Sequence, residues 1–324
     1  MELLVQPDDG IAPILEAIAG ARKTIDMHIF RIDRRAIEKA LAAAVKRGVV
    51  VRTLIAHTAN NAEEALRKLE QRLLAIGATV SRSADDLVRY HGKMMVVDRK
   101  TLYVLGYNLT RADIDKSRSL GISTRKPELV REALTLFDAD FDRKAYRGNA
   151  RYFVVSPVNS RDRLARLIKG ARKQILIYCA QVSDNAMIKL LEARAKAGVD
   201  VRIIGKIEKG HTITAEKFPG PRLHVRAIVR DGKMAFVGSQ GLRRIEIDAR
   251  REIGVIVKHP RVVKRIVEIF ESDWAATQAG KKEKKDEKKE AKREAKEEKK
   301  EEKREEKREA REEKQAAEDV RASA

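Results

Sequence analysis

Two constant offsets run through this chain, and they constrain its architecture more than any other feature. Gly20-Ala21-Arg22-Lys23-x-Ile25 returns as Gly170-Ala171-Arg172-Lys173-x-Ile175, and Gly48-Val49-x-Val51-Arg52 as Gly198-Val199-x-Val201-Arg202, both 150 residues later. From His91 onward the offset is 133: His91 meets His224, Asp98 meets Asp231, and Phe137-x-x-Asp140-Phe141 meets Phe270-x-x-Asp273-Trp274. The difference, 17 residues, is lost between Arg202 and His224. There the first half has room for a helix over Asn61–Ile76, with Ala65, Leu69, Leu73 and Leu74 at helical spacing, while the second has only a glycine-containing loop around Lys206 to Gly220. Constant offsets joined by one deletion mark an internal duplication.

Each half alternates short apolar runs with amphipathic stretches. In the first, strands are expected at Leu3–Val5, Thr24–Phe30, Val49–Leu54, Ala78–Ser81, Met94–Val97, Leu102–Leu105 and Leu120–Thr124, with helices near Gly10–Ala21, Arg34–Lys46, Asn61–Ile76 and Glu128–Arg143. The second repeats the scheme at Tyr152–Val155, Gln174–Cys179, Val201–Ile204, Val225–Val229, Met234–Val237 and Ile253–Val257, with a closing helix after Pro260. The pattern predicts an α/β fold of two homologous repeats, residues 1–148 and 149–278, each a central mixed sheet flanked by helices. Residues 279–324 form a charged low-complexity tail.

The duplicated unit carries a His-x-Lys-x4-Asp motif: His91, Lys93 and Asp98 in one copy, His224, Arg226 and Asp231 in the other. A neutral imidazole can attack phosphorus or pass a proton near neutral pH. A cation two residues away, on the same face of a strand, holds phosphate oxygens and stabilises charge on the pentacoordinate phosphorus. Arginine at 226 keeps the charge and can grip phosphate through two parallel hydrogen bonds, though its planar head differs in bulk and reach from an ammonium.

These residues resemble the phospholipase D superfamily over residues 1–276, which implies a pseudo-twofold fold with one active site between the halves. The family pattern continues with Gly-Ser-x-Asn. The first copy reads Leu105-Gly106-Tyr107-Asn108 and keeps the Asn; the second reads Gly238-Ser239-Gln240-Gly241 and keeps the Gly-Ser. An acidic residue commonly follows the second motif, and Glu252 fits, with Ser119 in the equivalent place of the first half. The resemblance implies a covalent phosphohistidine mechanism with no metal or cofactor. His91 is expected as nucleophile, because its copy keeps Lys93 and Asn108. His224 is expected as general acid and base, oriented by Glu252; Asn108 and Ser239 as phosphate ligands; Asp98 and Asp231 as anchors of strand ends. The substrate expected is a phospholipid, cleaved or transferred on the head-group side of its phosphate. A nuclease using the same histidines is the rival, and a non-catalytic binder of phosphate or acidic membrane, suggested by Arg226 and Gly241, is the third reading.

Charge agrees with an anionic partner. Of 70 Lys and Arg and 49 Asp and Glu, residues 281–324 hold 18 and 16, which leaves 52 and 33, a net of +19, on the rest of the chain. Such a field draws acidic lipid surfaces or nucleic acid. Aromatic residues are only 4%, few for a single-strand binder that stacks bases. No P-loop and no zinc-ligand spacing stand out, and neither a signal peptide nor a transmembrane helix is expected from the start of the sequence and its short apolar runs. Cys179, the one cysteine, reads as a core residue and suits a reducing cytosol, so the expected place is the cytoplasm or the inner face of a membrane. His28 stands on a strand whose end approaches the site. In the tail, Lys303 with Lys307 and Glu302 with Glu306 put like charges at i, i+4, which predicts a frayed helix, a coiled-coil-like segment or disorder.

Overall fold

The computed structural model describes residues 1–58, 63–148, 151–287 and 289–290. The first half contains β1 (Glu2–Gln6), α1 (Ala12–Gly20), β2 (Thr24–His28), α2 (Arg35–Lys46), β3 (Val50–Ile55), α3 (Glu63–Ala75), β4 (Thr79–Arg82), β5 (Arg89–Tyr90), β6 (Met94–Val97), β7 (Thr101–Leu105), α4 (Arg111–Asp115), β8 (Ser119–Thr124) and α5 (Pro127–Phe141). The second contains β9 (Phe153–Val155), α6 (Ser160–Lys169), β10 (Gln174–Val182), α7 (Asn185–Lys196), β11 (Asp200–Ile207), β12 (Ala227–Arg230), β13 (Met234–Gly238), α8 (Arg244–Asp248), β14 (Arg250–Arg251), β15 (Ile253–Val257) and α9 (Pro260–Ala275).

The two main sheets have the same strand order. The first runs β1-β8-β7-β6-β2-β3-β4 and the second β9-β15-β13-β12-β10-β11, so they match strand for strand except for β4. Both are mixed: β2 pairs with β3, and β10 with β11, in parallel, while the strands toward β1 and β9 are antiparallel. Each sheet is apolar on its helix-covered face, with a core built on Ile25, Met27, Val51 and Ile55 in one half and Ile175, Ile177 and Ile203 in the other. By contact the chain divides into two units, Met1–Asp273, which holds both sheets, and Trp274–Ala324. In the second unit 278–287 are helical; the tail beyond 290 lies outside the described residues.

The repeated sequence signatures have structural causes. Gly48 and Gly198 end α2 and α7 at φ of 86° and 83°, a left-handed geometry open to glycine, and the following valine amides turn back to Ala44 and Arg194. Asp98 and Asp231 sit at φ 53° in the turns after β6 and β12. Each carboxylate accepts from three successive backbone amides, those of Arg22, Lys23 and Thr24 or of Arg172, Lys173 and Gln174, at 2.7–3.2 Å. These amides hold both carboxyls below the usual range against the opposing effect of burial. The motif aspartates thus bind the loops that lead into β2 and β10.

The helix expected in the first half alone is α3, which buries Leu66, Leu69 and Leu73. Leu74, expected on the same face, is 53% exposed. It stands 100° round the helix from Leu73, while Leu66, Leu69 and Leu73 follow the i, i+3, i+7 stripe. Before α3, residues 59–62 lie outside the described residues.

Candidate active site

The halves meet through reciprocal strand pairing. β5 lies parallel to β14, and the amide of His91 donates to the carbonyl of Arg251 at 2.8 Å. At the equivalent place Arg118 bridges Leu223, and the amide of His224 donates to the carbonyl of Arg118 at 3.0 Å. Two ion pairs repeat the symmetry: Arg251 with Asp140 at 3.0 Å, buried, and Arg118 with Asp273 at 3.0 Å, half-buried. All four residues obey the 133 offset. The chain entering each histidine is therefore hydrogen-bonded to the opposite half, and both histidines line one cavity of about 550 Å³.

The carboxylate partners cross over. Nδ1 of His91 lies 2.9 and 3.1 Å from the two oxygens of Glu252, which is fully buried. Glu252 was expected on His224; the structure corrects this, because β14 carries it to the first half's histidine. Nδ1 of His224 lies 3.6 Å from Asp113 of α4. Burial would raise both carboxyls, but the facing cations and imidazoles prevail: Glu252 stands at about 2, and Asp113 is also lowered. Burial pulls His91 down to about 4 despite Glu252, with Lys93 adding to the shift. His224 is lowered by burial, then by Arg226. Both imidazoles are neutral at pH 7, and the carboxylate fixes the His91 proton on Nδ1, which leaves the Nε2 lone pair facing Nζ of Lys93 at 3.3 Å.

Lys93 is fully buried. Its Nζ donates to the carbonyl of His91 at 2.5 Å, lies 3.1 Å from the ring's Nδ1, and sits 5.9 Å above the ring of Phe30. Burial pushes this ammonium down to about 8. Asn108 lines the cavity, with its amide N–H and Nδ2 both donating to Asp113 at 2.8 Å and its Oδ1 unpaired. Ser239, expected beside it, is turned inward: its Oγ accepts from the Ile253 amide at 3.1 Å, which braces the strand next to Glu252. Arg226 is anchored by the carbonyl of His224 at 3.3 Å and by Glu246 at 3.7 Å. His28 is fully buried, held neutral by burial, and is not part of the cavity wall.

The second half-site is rebuilt around Glu246, the counterpart of Asp113. Its Oε2 accepts from the Gly241 amide at 2.8 Å, as Asp113 accepts from Asn108, while Oε1 faces Arg226, Arg243 and Arg250 at 3.6–3.7 Å. A Cβ on Gly241 would stand 2.6 Å from Oε2 and 2.9 Å from Sγ of Cys179. The longer carboxylate fills the space an Asn side chain needs, so Gly241 and Glu246 form one exchange. Sequence reasoning missed Asp113 and Glu246; the signal was present as an acidic residue five places after Asn108 and Gly241 in both repeats.

The cavity lining combines cations with apolar side chains. Arg31, Arg89 and Arg222 ring the histidines, and Arg222 also binds Asp113 and the Ser117 hydroxyl. Arg31 and Arg89 pack over the ring of Phe30 at 5.3 and 5.5 Å, and Ile32 and, from α3, Ala65, Leu66 and Leu69 add the rest of the apolar lining. Among the described residues no group of three or more His, Cys, Asp or Glu side chains is arranged to hold a metal ion, and no helix is long and apolar enough to cross a membrane.

The family described as "Cardiolipin synthase, PLD-like domain" matches residues 14–141 and 205–274, more than half of the chain. This chain belongs to that phospholipase D-like family. The mitochondrial cardiolipin hydrolase of Danio rerio is 31% identical over 134 residues, 39% of this chain and 56% of its own length, so the chain spans little more than half of that relative. Among solved structures, polyphosphate kinase from Porphyromonas gingivalis superposes with a TM-score of 0.70 at 19% identity, over 83% of this chain and 49% of its own. Phosphatidylserine synthase from Haemophilus influenzae does so at 0.66 and 12%, over 86% of both. At these identities the two structures establish the shared phospholipase D-like fold, with its paired mixed sheets and flanking helices.

Proposed function

We propose that this phospholipase D-like protein cleaves or transfers the phosphodiester of a phospholipid through a phosphohistidine at His91. The observation that carries the reading is the Glu252 contact on Nδ1 of His91, which leaves Nε2 as the nucleophile. In the first step Nε2 bonds to phosphorus, and the bond to the leaving alcohol breaks; that oxygen takes a proton from His224. Burial and Arg226 hold His224 neutral in the free protein; a diester anion beside it offsets those cations and raises its pKa, so that it takes up from solvent, as substrate binds, the proton it then donates. In the second step water, or an acceptor alcohol, gives its proton to His224, bonds to phosphorus and frees His91. Lys93, Arg226 and Asn108 hold the phosphate oxygens and stabilise the charge of both transition states.

The lipid reading rests on the wall formed by Phe30, Leu66 and Leu69, which suits an apolar group beside the phosphate. Arg31, Arg89 and Arg222 in the same lining favour nucleic acid as the second reading. Head-group release from mixed phospholipid vesicles in EDTA tests both. Wild type should release head group, and His91→Ala should not. Leu69→Glu should lose most activity on long-chain lipid while keeping that on a short water-soluble diester. Wild type that cleaves DNA or RNA but no lipid would replace the lipid reading; turnover by His91→Ala equal to wild type would remove the phosphohistidine.

A further inference from the structure

The duplication provides an internal control, since the two halves share a backbone and can be compared position by position. At the sheet ends opposite the histidines, the first half has a concavity lined by Glu2, Glu16, Asp98, Lys100 and Arg125 among others, of mixed charge. The counterpart in the second half, of about 230 Å³, is lined by Arg151, Arg163, Arg166, Arg230 and Lys258 around Tyr152, with no acidic side chain. At the 150 offset Tyr152, Arg163 and Arg166 stand where the first half has Glu2, Pro13 and Glu16; at the 133 offset Arg230 and Lys258 replace Val97 and Arg125.

Arg230 ends β12 and is half-buried. Its guanidinium lies against Gly170, where a Cβ would come within 2.3 Å of it, and its buried Nε has no hydrogen-bond partner. Around Gly20, the counterpart of Gly170, the space is open. The Tyr152 ring carries Arg151 at 5.3 Å and Lys258 at 5.1 Å, so it positions two cations. Arg166 pairs with Asp162 at 2.7 Å, but both are about two-thirds exposed and the pair is weak. Arg226 and Arg230 stand at opposite ends of one strand, roughly 13 Å apart at about 3.3 Å per residue, so this concavity is distinct from the catalytic cavity.

We infer that the concavity around Arg230 and Tyr152 is a second anion site that binds a phosphate group, on a soluble ligand or on a lipid head group. Clustered guanidinium groups bind phosphate through charge-assisted, bidentate hydrogen bonds, and the four arginines and one lysine of this lining face no acidic side chain in it.

The test uses the full chain, calorimetric titration with inorganic pyrophosphate, and co-sedimentation with phosphatidylcholine vesicles with or without phosphatidylglycerol. Wild type should bind two pyrophosphates. The variant Arg166→Glu/Arg230→Val, which installs the first half's residues, should lose one of them and keep the other along with turnover, whereas Lys93→Met should lose the complementary one. Arg166→Glu alone, on an exposed side chain, should weaken the second event at least tenfold without disturbing the fold. Loss of the pyrophosphate event identifies a soluble phosphate ligand; loss of phosphatidylglycerol-dependent sedimentation alone identifies a head group. One pyrophosphate per chain, with pyrophosphate and vesicle binding unchanged in the double variant, overturns the inference.

Discussion

Lys93→Met isolates what it costs to keep a charge ready inside the site. The ammonium is fully buried, and burial lowers its pKa from 10.5 to about 8, with Glu252 and Asp113 only partly offsetting the loss of hydration. The sign follows from linkage. Between pH 8 and 10.5 the unfolded chain binds a proton at this lysine that the folded chain does not, so stability rises with pH across that window. From pH 7 to pH 10 the two pKa values give a rise of roughly 2.5 kcal/mol at about 1.4 kcal/mol per unit. Below pH 8 the wild type carries the whole cost, and methionine removes it. Methionine also loses the hydrogen bond to the His91 carbonyl, a loss of about 1 kcal/mol. At pH 7 the variant should therefore unfold at higher urea, by roughly 1–2 kcal/mol, while its diesterase activity collapses. The difference between wild type and variant should shrink and then reverse by pH 10, and subtracting the two curves cancels the titrating groups that do not interact with Lys93. A difference that changes by less than about 1 kcal/mol between pH 7 and pH 10 would refute the argument, because the ammonium would then be hydrated or fully compensated.

Two further substitutions probe the crossed partners. Glu252→Gln removes the charge that raises His91 and fixes its tautomer, so the imidazole should fall below its present value of about 4; turnover should drop by about a hundredfold or more while pyrophosphate still binds, read from kcat and titration. Gly241→Asn should cost roughly 1–3 kcal/mol by driving its side chain into Glu246 and Cys179. The double variant Gly241→Asn/Glu246→Asp should recover most of that loss in urea unfolding, and strict additivity would show that the two positions are independent.

The duplication and its consequences were legible in the chain itself. Offsets of 150 and 133 fixed two copies of one sheet, the placement of α3 in one copy only, and the pairing of His91 with His224. Local periodicity also set Lys93 beside His91, since both depend on residues two apart. Four features depended on tertiary structure alone. Glu252 serves His91 across 161 residues because β5 and β14 pair between the halves, and Asp113 faces His224 where Arg118 bridges Leu223. Ser239 faces the Ile253 amide and the α3 leucines wall the cavity, both through packing that no spacing encodes. Periodicity states which way a side chain points from its own strand. It carries no information about which carboxylate, from a strand far along the chain, is brought opposite, and that choice belongs to the way the two repeats close on each other.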